Sequence, residues 1–260
     1  FDYADMTTLT VTQEEIDSAE AELPAEIKET IHTSANNIRT FHERQRKTSW
    51  LEVEPDKIVG QVVRPLARVG VYVPGGTAAY PSSVLMTAIP AKVAGVPEVV
   101  LCTPVREGGK VPAMVRYAAK IAGVSKIVTV GGAQAVAAFA FGTATVPQVD
   151  KVVGPGNVYV NVAKKMLYGL VDIDMLAGPS EVCVVADEGA NPKFAAMDLL
   201  TQAEHDTECA AYLITPSAEF AQAVLTEIDK QLQILPRSEI LKEALEKNGG
   251  VIVTESLEQA

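Results

Sequence analysis

Residues 126–170 read KIVTVGGAQAVAAFAFGTATVPQVDKVVGPGNVYVNVAKKMLYGL. Twice in this stretch a short β-branched run ends in a glycine turn and gives way to a run of helix length. The run 126–130 leads through Gly131-Gly132 into 133–141, and 149–153 leads through Gly154-Pro155-Gly156 into 158–170. Continuous apolar strands alternating with helices predict a parallel sheet covered on both faces, because each parallel crossover needs a helix. The same beat runs upstream, with strands at 69–73 and 98–102, helices at 82–95 and 111–123, and turn glycines at Gly75-Gly76 and Gly108-Gly109. A second series begins at Glu181: strand 182–186, helix 192–206, strand 210–214, helices 218–232 and 238–247, strand 250–254. The pattern predicts two parallel α/β units that meet near residues 175–180, across Leu176-Ala177-Gly178-Pro179-Ser180-Glu181.

Outside this alternation the periodicity changes. Residues 12–47 are helical in pattern: Thr12 precedes Glu14-Glu15-Ile16, and Ile27, Ile31 and Ile38 recur at near-helical spacing. Pro24 divides the stretch into two helices. Two β-type runs, 59–63 and 67–73, joined near Arg64-Pro65, predict a hairpin. Residues 255–260 open like a further helix with Ser256 as its cap. One turn is too short to stand alone, so the chain is expected to continue.

Composition narrows the function classes. The 260 residues hold 22 Lys+Arg and 33 Asp+Glu, a net charge of −11, which disfavours general nucleic-acid or anionic-membrane binding. Residues 71–180 are nonetheless locally positive, with 9 basic and 5 acidic groups, whereas 181–260 hold 5 basic and 15 acidic ones. A positive middle would suit an anionic small ligand; compositional drift between two folded units explains it equally well. No apolar run approaches the roughly 18–20 residues of a membrane span, and the start, Phe1-Asp2-Tyr3-Ala4-Asp5, lacks the features of a signal peptide. Cys102, Cys183 and Cys209 are scattered and odd in number, which fits a reducing compartment. The expected setting is cytoplasmic.

Several motifs carry possible chemistry. Gly75-Gly76, Gly131-Gly132 and Gly154-Pro155-Gly156 all fall at strand C-termini, the edge of an open parallel sheet where ligands bind. Each is also accounted for by a turn that needs glycine. The dinucleotide fingerprint GxGxxG is absent; its nearest approach, Gly154-Pro155-Gly156-Asn157-Val158-Tyr159, has Tyr159 in the third glycine position. On the helix expected at 192–206, Ala196, Leu199, Leu200 and Ala203 form one apolar arc, while Asp198, Gln202 and His205 lie opposite. That polar arc is either a solvated face or a source of an imidazole and a neutral oxygen ligand for a metal. Ser180 precedes a strand, not a helix, so it is a substrate hydrogen-bonder or a plain turn serine, not a nucleophile. His32 and His42 are expected on the surface, and Cys102 and Cys183 in the core.

Five ordered segments bear a wider resemblance. They are VGVYVPGGTAAYPSSVLM (69–86), Gly131-Gly132-Ala133-Gln134-Ala135, Gly154-Pro155-Gly156-Asn157, IDMLAGPSE (173–181) and DLLTQAEH (198–205). Together they resemble the histidinol dehydrogenase family over most of the chain. The resemblance implies an NAD-dependent, zinc-containing enzyme that takes L-histidinol through the aldehyde to L-histidine, and a fold of two incomplete Rossmann-like domains. It assigns residues 1–71 to a helical arm and hairpin packing with the second domain, 72–178 to the NAD-side domain, and 179–260 to the zinc- and substrate-side domain. By position it implies that Tyr72, Gln134 and Asn157 contact NAD and Ser180 contacts substrate. Gln202 and His205 would ligate zinc while lying against the substrate. It further implies a homodimer with shared active sites, and a Glu-His acid/base pair plus an Asp and a His zinc ligand that these residues do not include. The 260 residues alone are therefore expected to be inactive, with no catalytic residue of their own. The rival readings are another dehydrogenase or transferase on the same two-domain plan, and a non-catalytic ligand-sensing relative.

Overall fold

A computed structural model of the chain describes residues 8–75, 79–105, 110–178 and 180–260. Gly76, Gly108, Gly109, Pro179 and the acidic start at residues 1–5 lie outside the described residues. The chain divides into two compact units, Phe1–Ala177 and Gly178–Ala260.

The arm opens with α1 (Gln13–Ser18), closed by a capping box in which the Glu15 amide donates to Thr12 Oγ1 at 3.2 Å and the Thr12 amide to Glu15 Oε2 at 2.9 Å. Helix α2 (Ala25–Glu43) begins straight after Pro24, where the sequence breaks the pattern. The arm's buried side chains join the core of the first unit. Ile16, Ala19, Ile31 and Ala35 share one buried core with Val84, Leu85, Val115 and Ala118.

A hairpin follows, one strand earlier than expected. Strands β1 (Trp50–Glu54) and β2 (Lys57–Gln61) pair antiparallel around Pro55-Asp56, with Glu54 opposite Lys57. Proline and aspartate supply a two-residue reversal there. The run beginning near residue 67 is not the hairpin's second strand, because it is claimed on both sides by parallel neighbours. It is β3 (Arg68–Tyr72), the middle strand of a five-stranded sheet.

That sheet contains β3, β4 (Glu98–Cys102), β5 (Lys126–Val128), β6 (Lys151–Val153) and β7 (Asp172–Ile173), all parallel, in the order β5-β4-β3-β6-β7. The connecting helices are α3 (Pro81–Val93), α4 (Ala113–Ala122), α5 (Gly132–Phe141) and α6 (Val158–Leu167). Alternation along each strand sorts two cores. Val69, Val71, Val99, Leu101 and Ile127 face α3 and α4, whereas Tyr72, Val100, Cys102, Val128 and Val152 face α5 and α6. Fully burying each such aliphatic side chain contributes about 1.5–3 kcal/mol, so the doubly covered strands anchor the unit. Strand β5 is shorter than the sequence pattern, and its edge is taken by the arm. Thr10 forms an antiparallel bridge with Val128, and the Thr129 amide donates to the Leu9 carbonyl at 2.7 Å.

The second unit holds β8 (Glu181–Val185), α7 (Pro192–Ala203), β9 (Ala210–Thr215), α8 (Ala218–Leu232), α9 (Ser238–Asn248) and β10 (Gly249–Val253). Its three strands are parallel in the order β10-β9-β8. Ala196, Leu199, Leu200 and Ala203 of α7 are buried with Leu213, Val224 and Leu241, as the apolar arc requires. No helix among the described residues is long and apolar enough to cross a membrane.

Candidate functional site

The chain runs outward from β3 to β4 and β5, then returns to place β6 on the other side of β3. The strand order therefore reverses between β3 and β6, and in open parallel sheets ligands bind in the crevice outside that switch point. A crevice of about 670 Å³ lies there, lined by Tyr72, Gly132, Gln134, Asn157, Pro104 and Tyr159 among others. Tyr72, Gln134 and Asn157 are thus brought together from three separate strand ends.

Each is placed by its local structure. Tyr72 ends β3 with only 3% of its surface exposed, and its hydroxyl accepts from the Gly132 amide at 3.1 Å, tying β3 to the first turn of α5. Asn157 caps α6: its Oδ1 accepts from the Val160 amide at 3.1 Å, leaving the Nδ2 donor at the rim. Gln134 is exposed in the first turn of α5. Helices α5 and α6 both start at this crevice, so their N-terminal partial positive charges favour an anionic group there.

Glycine is required at the walls by proximity. A Cβ on Gly75 would lie 2.3 Å from the Pro104 carbonyl oxygen, and one on Gly131 would lie 2.5 Å from Pro104 Cβ. Pro104, which sequence reasoning did not single out, is the wedge against which both turns close. No glycine fingerprint could have revealed it.

The second group of candidates lies at the opposite kind of edge. Ser180 is exposed at the entrance to β8, and its carbonyl accepts from the Ala210 amide at 3.3 Å where β9 begins. Gln202 stands in the last turn of α7, and its Nε2 donates to Cys209 Sγ at 3.5 Å. Adjacent strand starts thus gather Ser180, Gln202 and the intervening Cys209. His205 needs a correction: it is not on the helix. Helix α7 ends at Ala203, and His205 is exposed in the bend beyond it. The cause is Asp206, whose Oδ1 accepts from the Glu208 amide at 3.0 Å and closes a turn that competes with further helix. His205 stays close to Gln202 because its amide donates to the Gln202 carbonyl at 3.2 Å. Cys183, expected in the core, is exposed on β8. His32 is exposed, as expected, with its Nε2 2.9 Å from the Tyr117 hydroxyl.

As a metal site this group is incomplete. Gln202 and His205 supply two donors, and with Nε2 held by Cys209 the carboxamide oxygen of Gln202 is left to face a cation. Zinc needs about four. Among the described residues no group of three or more His, Cys, Asp or Glu side chains could hold a metal ion.

Fold and crevice define the class: a parallel α/β protein whose first unit carries a crevice at a topological switch point. An NAD-dependent benzaldehyde dehydrogenase from Corynebacterium glutamicum shares the fold, with a TM-score of 0.53 at 18% identity over 86% of this chain and 51% of that one. The chain belongs to the histidinol dehydrogenase family, whose family model matches residues 1–260. It is 51% identical to the histidinol dehydrogenase of Halalkalibacterium halodurans and 52% identical to that of Geobacillus kaustophilus, each match covering 100% of this chain and 62% of the relative. The crystal structure of histidinol dehydrogenase from Elizabethkingia anophelis superposes with a TM-score of 0.92 at 40% identity, covering 100% of this chain and 60% of that one. The chain spans about three fifths of the length of these relatives.

Proposed function

We propose that the chain carries the cofactor-binding and part of the substrate-binding machinery of an NAD-dependent, zinc-containing L-histidinol dehydrogenase. The reaction is oxidation of L-histidinol through L-histidinal to L-histidine, in the last steps of histidine biosynthesis. The observation that carries this reading is the convergence of Tyr72, Gln134 and Asn157 on one crevice at the β3–β6 switch point, in a chain of this family. In each of two oxidations a hydride passes to NAD and a proton is released; the second starts from the hydrated aldehyde and so consumes one water. Tyr72, Gln134 and Asn157 bind and orient the dinucleotide. Ser180, Gln202 and His205 engage the substrate. Gln202 and His205 would ligate zinc together with donors from outside the described residues. When bound, the ion supplies a Lewis acid that fixes the substrate's orientation toward the nicotinamide. The acid/base Glu-His pair is not among these residues, and the working enzyme is a cytoplasmic homodimer.

Histidinol-dependent NADH formation tests this, measured on the protein at the length of its relatives with and without a zinc chelator. Turnover that the chelator abolishes is expected, as is none from the 260 residues alone. A well-folded long form that makes no NADH would move the ligand-sensing reading to the front.

A further inference from the structure

Helix α6 buries a lysine. Lys164 stands one turn after Val160 on the covered side of the helix, and only 1% of its side chain is exposed. A buried ammonium is costly unless it is paired and fully hydrogen-bonded, and an apolar side chain of similar length would serve packing as well or better. What Lys164 does gain is specific. Its Nζ donates to Asp174 Oδ1 at 2.6 Å and to the Gly154 carbonyl at 2.7 Å. Asp174 in turn accepts the Gly154 amide on Oδ2 at 2.7 Å and the Met175 amide on Oδ1 at 2.7 Å.

One ion pair therefore holds both polar main-chain groups of a single glycine, the carboxylate taking its N–H and the ammonium its C=O. Gly154 itself has no side chain by which it could be held. Its φ is +118°, and a Cβ there would lie 2.0 Å from the Tyr72 carbonyl oxygen, so the turn passes β3 too closely to carry a side chain. With both peptide planes at Gly154 fixed, the direction of Pro155-Gly156-Asn157 is fixed as well. A second amide works on the same turn: Asn161 Nδ2 donates to the Gly156 carbonyl at 3.2 Å.

We infer that Lys164 and Asp174 are a positioning pair for the crevice, setting the turn 154–157 so that Asn157 and the end of β3 meet the dinucleotide in one fixed arrangement. Neither side chain lines the crevice. The inference rests on the dinucleotide reading given above. The pair acts as a unit, because removing either charge leaves the other without its partner and frees one side of Gly154.

The test is calorimetric titration of NAD into the protein at the length of its relatives and into its Asp174→Asn, Lys164→Met and double variants. Amide exchange over residues 154–160 is followed in parallel. Each single variant is expected to weaken NAD binding about 10-fold or more, and the double variant no further than the weaker single, as coupled residues behave. Exchange should quicken in the turn while β4 and β5 stay protected. Lys151→Met, which removes the neighbouring pair with Asp172, should leave NAD affinity unchanged. Should Lys164→Met fail to fold, the partly exposed Asp174→Asn carries the comparison alone. NAD affinity retained in the folded variants would overturn the positioning pair and leave the dinucleotide reading standing. No binding by the unaltered protein would overturn that reading and the pair's role with it.

Discussion

A single added carbon separates two glycines of the first unit that share an unusual backbone. Gly154 has φ +118° and Gly169 has φ +100°, so alanine is strained at either. At Gly169 nothing lies within 4 Å of the new carbon, whereas at Gly154 it would meet the Tyr72 carbonyl oxygen at 2.0 Å. Gly169→Ala should therefore cost only the backbone term, about 1–2 kcal/mol, and Gly154→Ala clearly more. Thermal melting of the two variants decides it, and equal shifts would sink the argument. Asn157 permits a cleaner separation of roles. Asn157→Ser keeps an N-cap and should leave stability within a few tenths of a kcal/mol, while Asn157→Ala should cost about 0.5–2 kcal/mol. Both should lower NAD affinity, because both remove the Nδ2 donor. A serine variant that binds NAD as well as the parent would remove Asn157 from the cofactor site.

Helix α1 is held less by its own six residues than by a guanidinium from α4. Arg116 is buried and donates to the Val111 carbonyl at 2.8 Å, to Glu22 Oε2 at 2.7 Å and to the Glu15 carbonyl. Arg116→Met should leave those acceptors unpaired and destabilise the docked arm by about 1–3 kcal/mol, seen as faster amide exchange in α1 before any global change. The same region sets an acid response. The Thr12 amide holds the Glu15 carboxyl below its usual range, hydrogen bonds from Lys120 and Gln13 do so for Asp17, and Arg116 does so for Glu22. Lowered carboxylate values mean stabilisation that is complete above the ordinary value of about 4 and is lost as pH falls through the lowered values. Docking of α1 should thus be flat from neutral pH down to about 5 and fail only in stronger acid, which circular dichroism with exchange can follow. The capping box and the break at Pro24 were legible because they are local. The hairpin was misplaced because the β pattern near residue 67 does not say whether its partners are antiparallel neighbours or distant parallel ones. The end of α7 was misplaced because an Asx turn at Asp206 competes with helix on equal propensity terms.

Across the whole molecule, the crevice was legible because glycine turns mark strand ends and strand ends mark ligand edges. The pair beneath it was not. Lys164 reads as one more charge on an amphipathic helix, and only the folded sheet brings Asp174 and Gly154 to it. The exposed hairpin offers a global check on this description. Trp50, the one tryptophan in the sequence, is half-exposed on β1 beside exposed Leu51, Val53 and Ile58. Its emission should resemble that of tryptophan in water and should be quenched by iodide. A blue-shifted, protected signal would mean that the hairpin is covered in solution.

The arm's short pairing with β5 also has a temporal side. Leu9 and Thr129 stand 120 residues apart, yet they share the bonds that close the edge of the five-stranded sheet. At ~5–20 residues per second, the arm segment waits roughly 6–24 s on the ribosome for its partner to be made. Until then the capped α1 has no α4 to dock on and β5 has no cover. The first unit is therefore expected to become protease-resistant only late in synthesis, in one step.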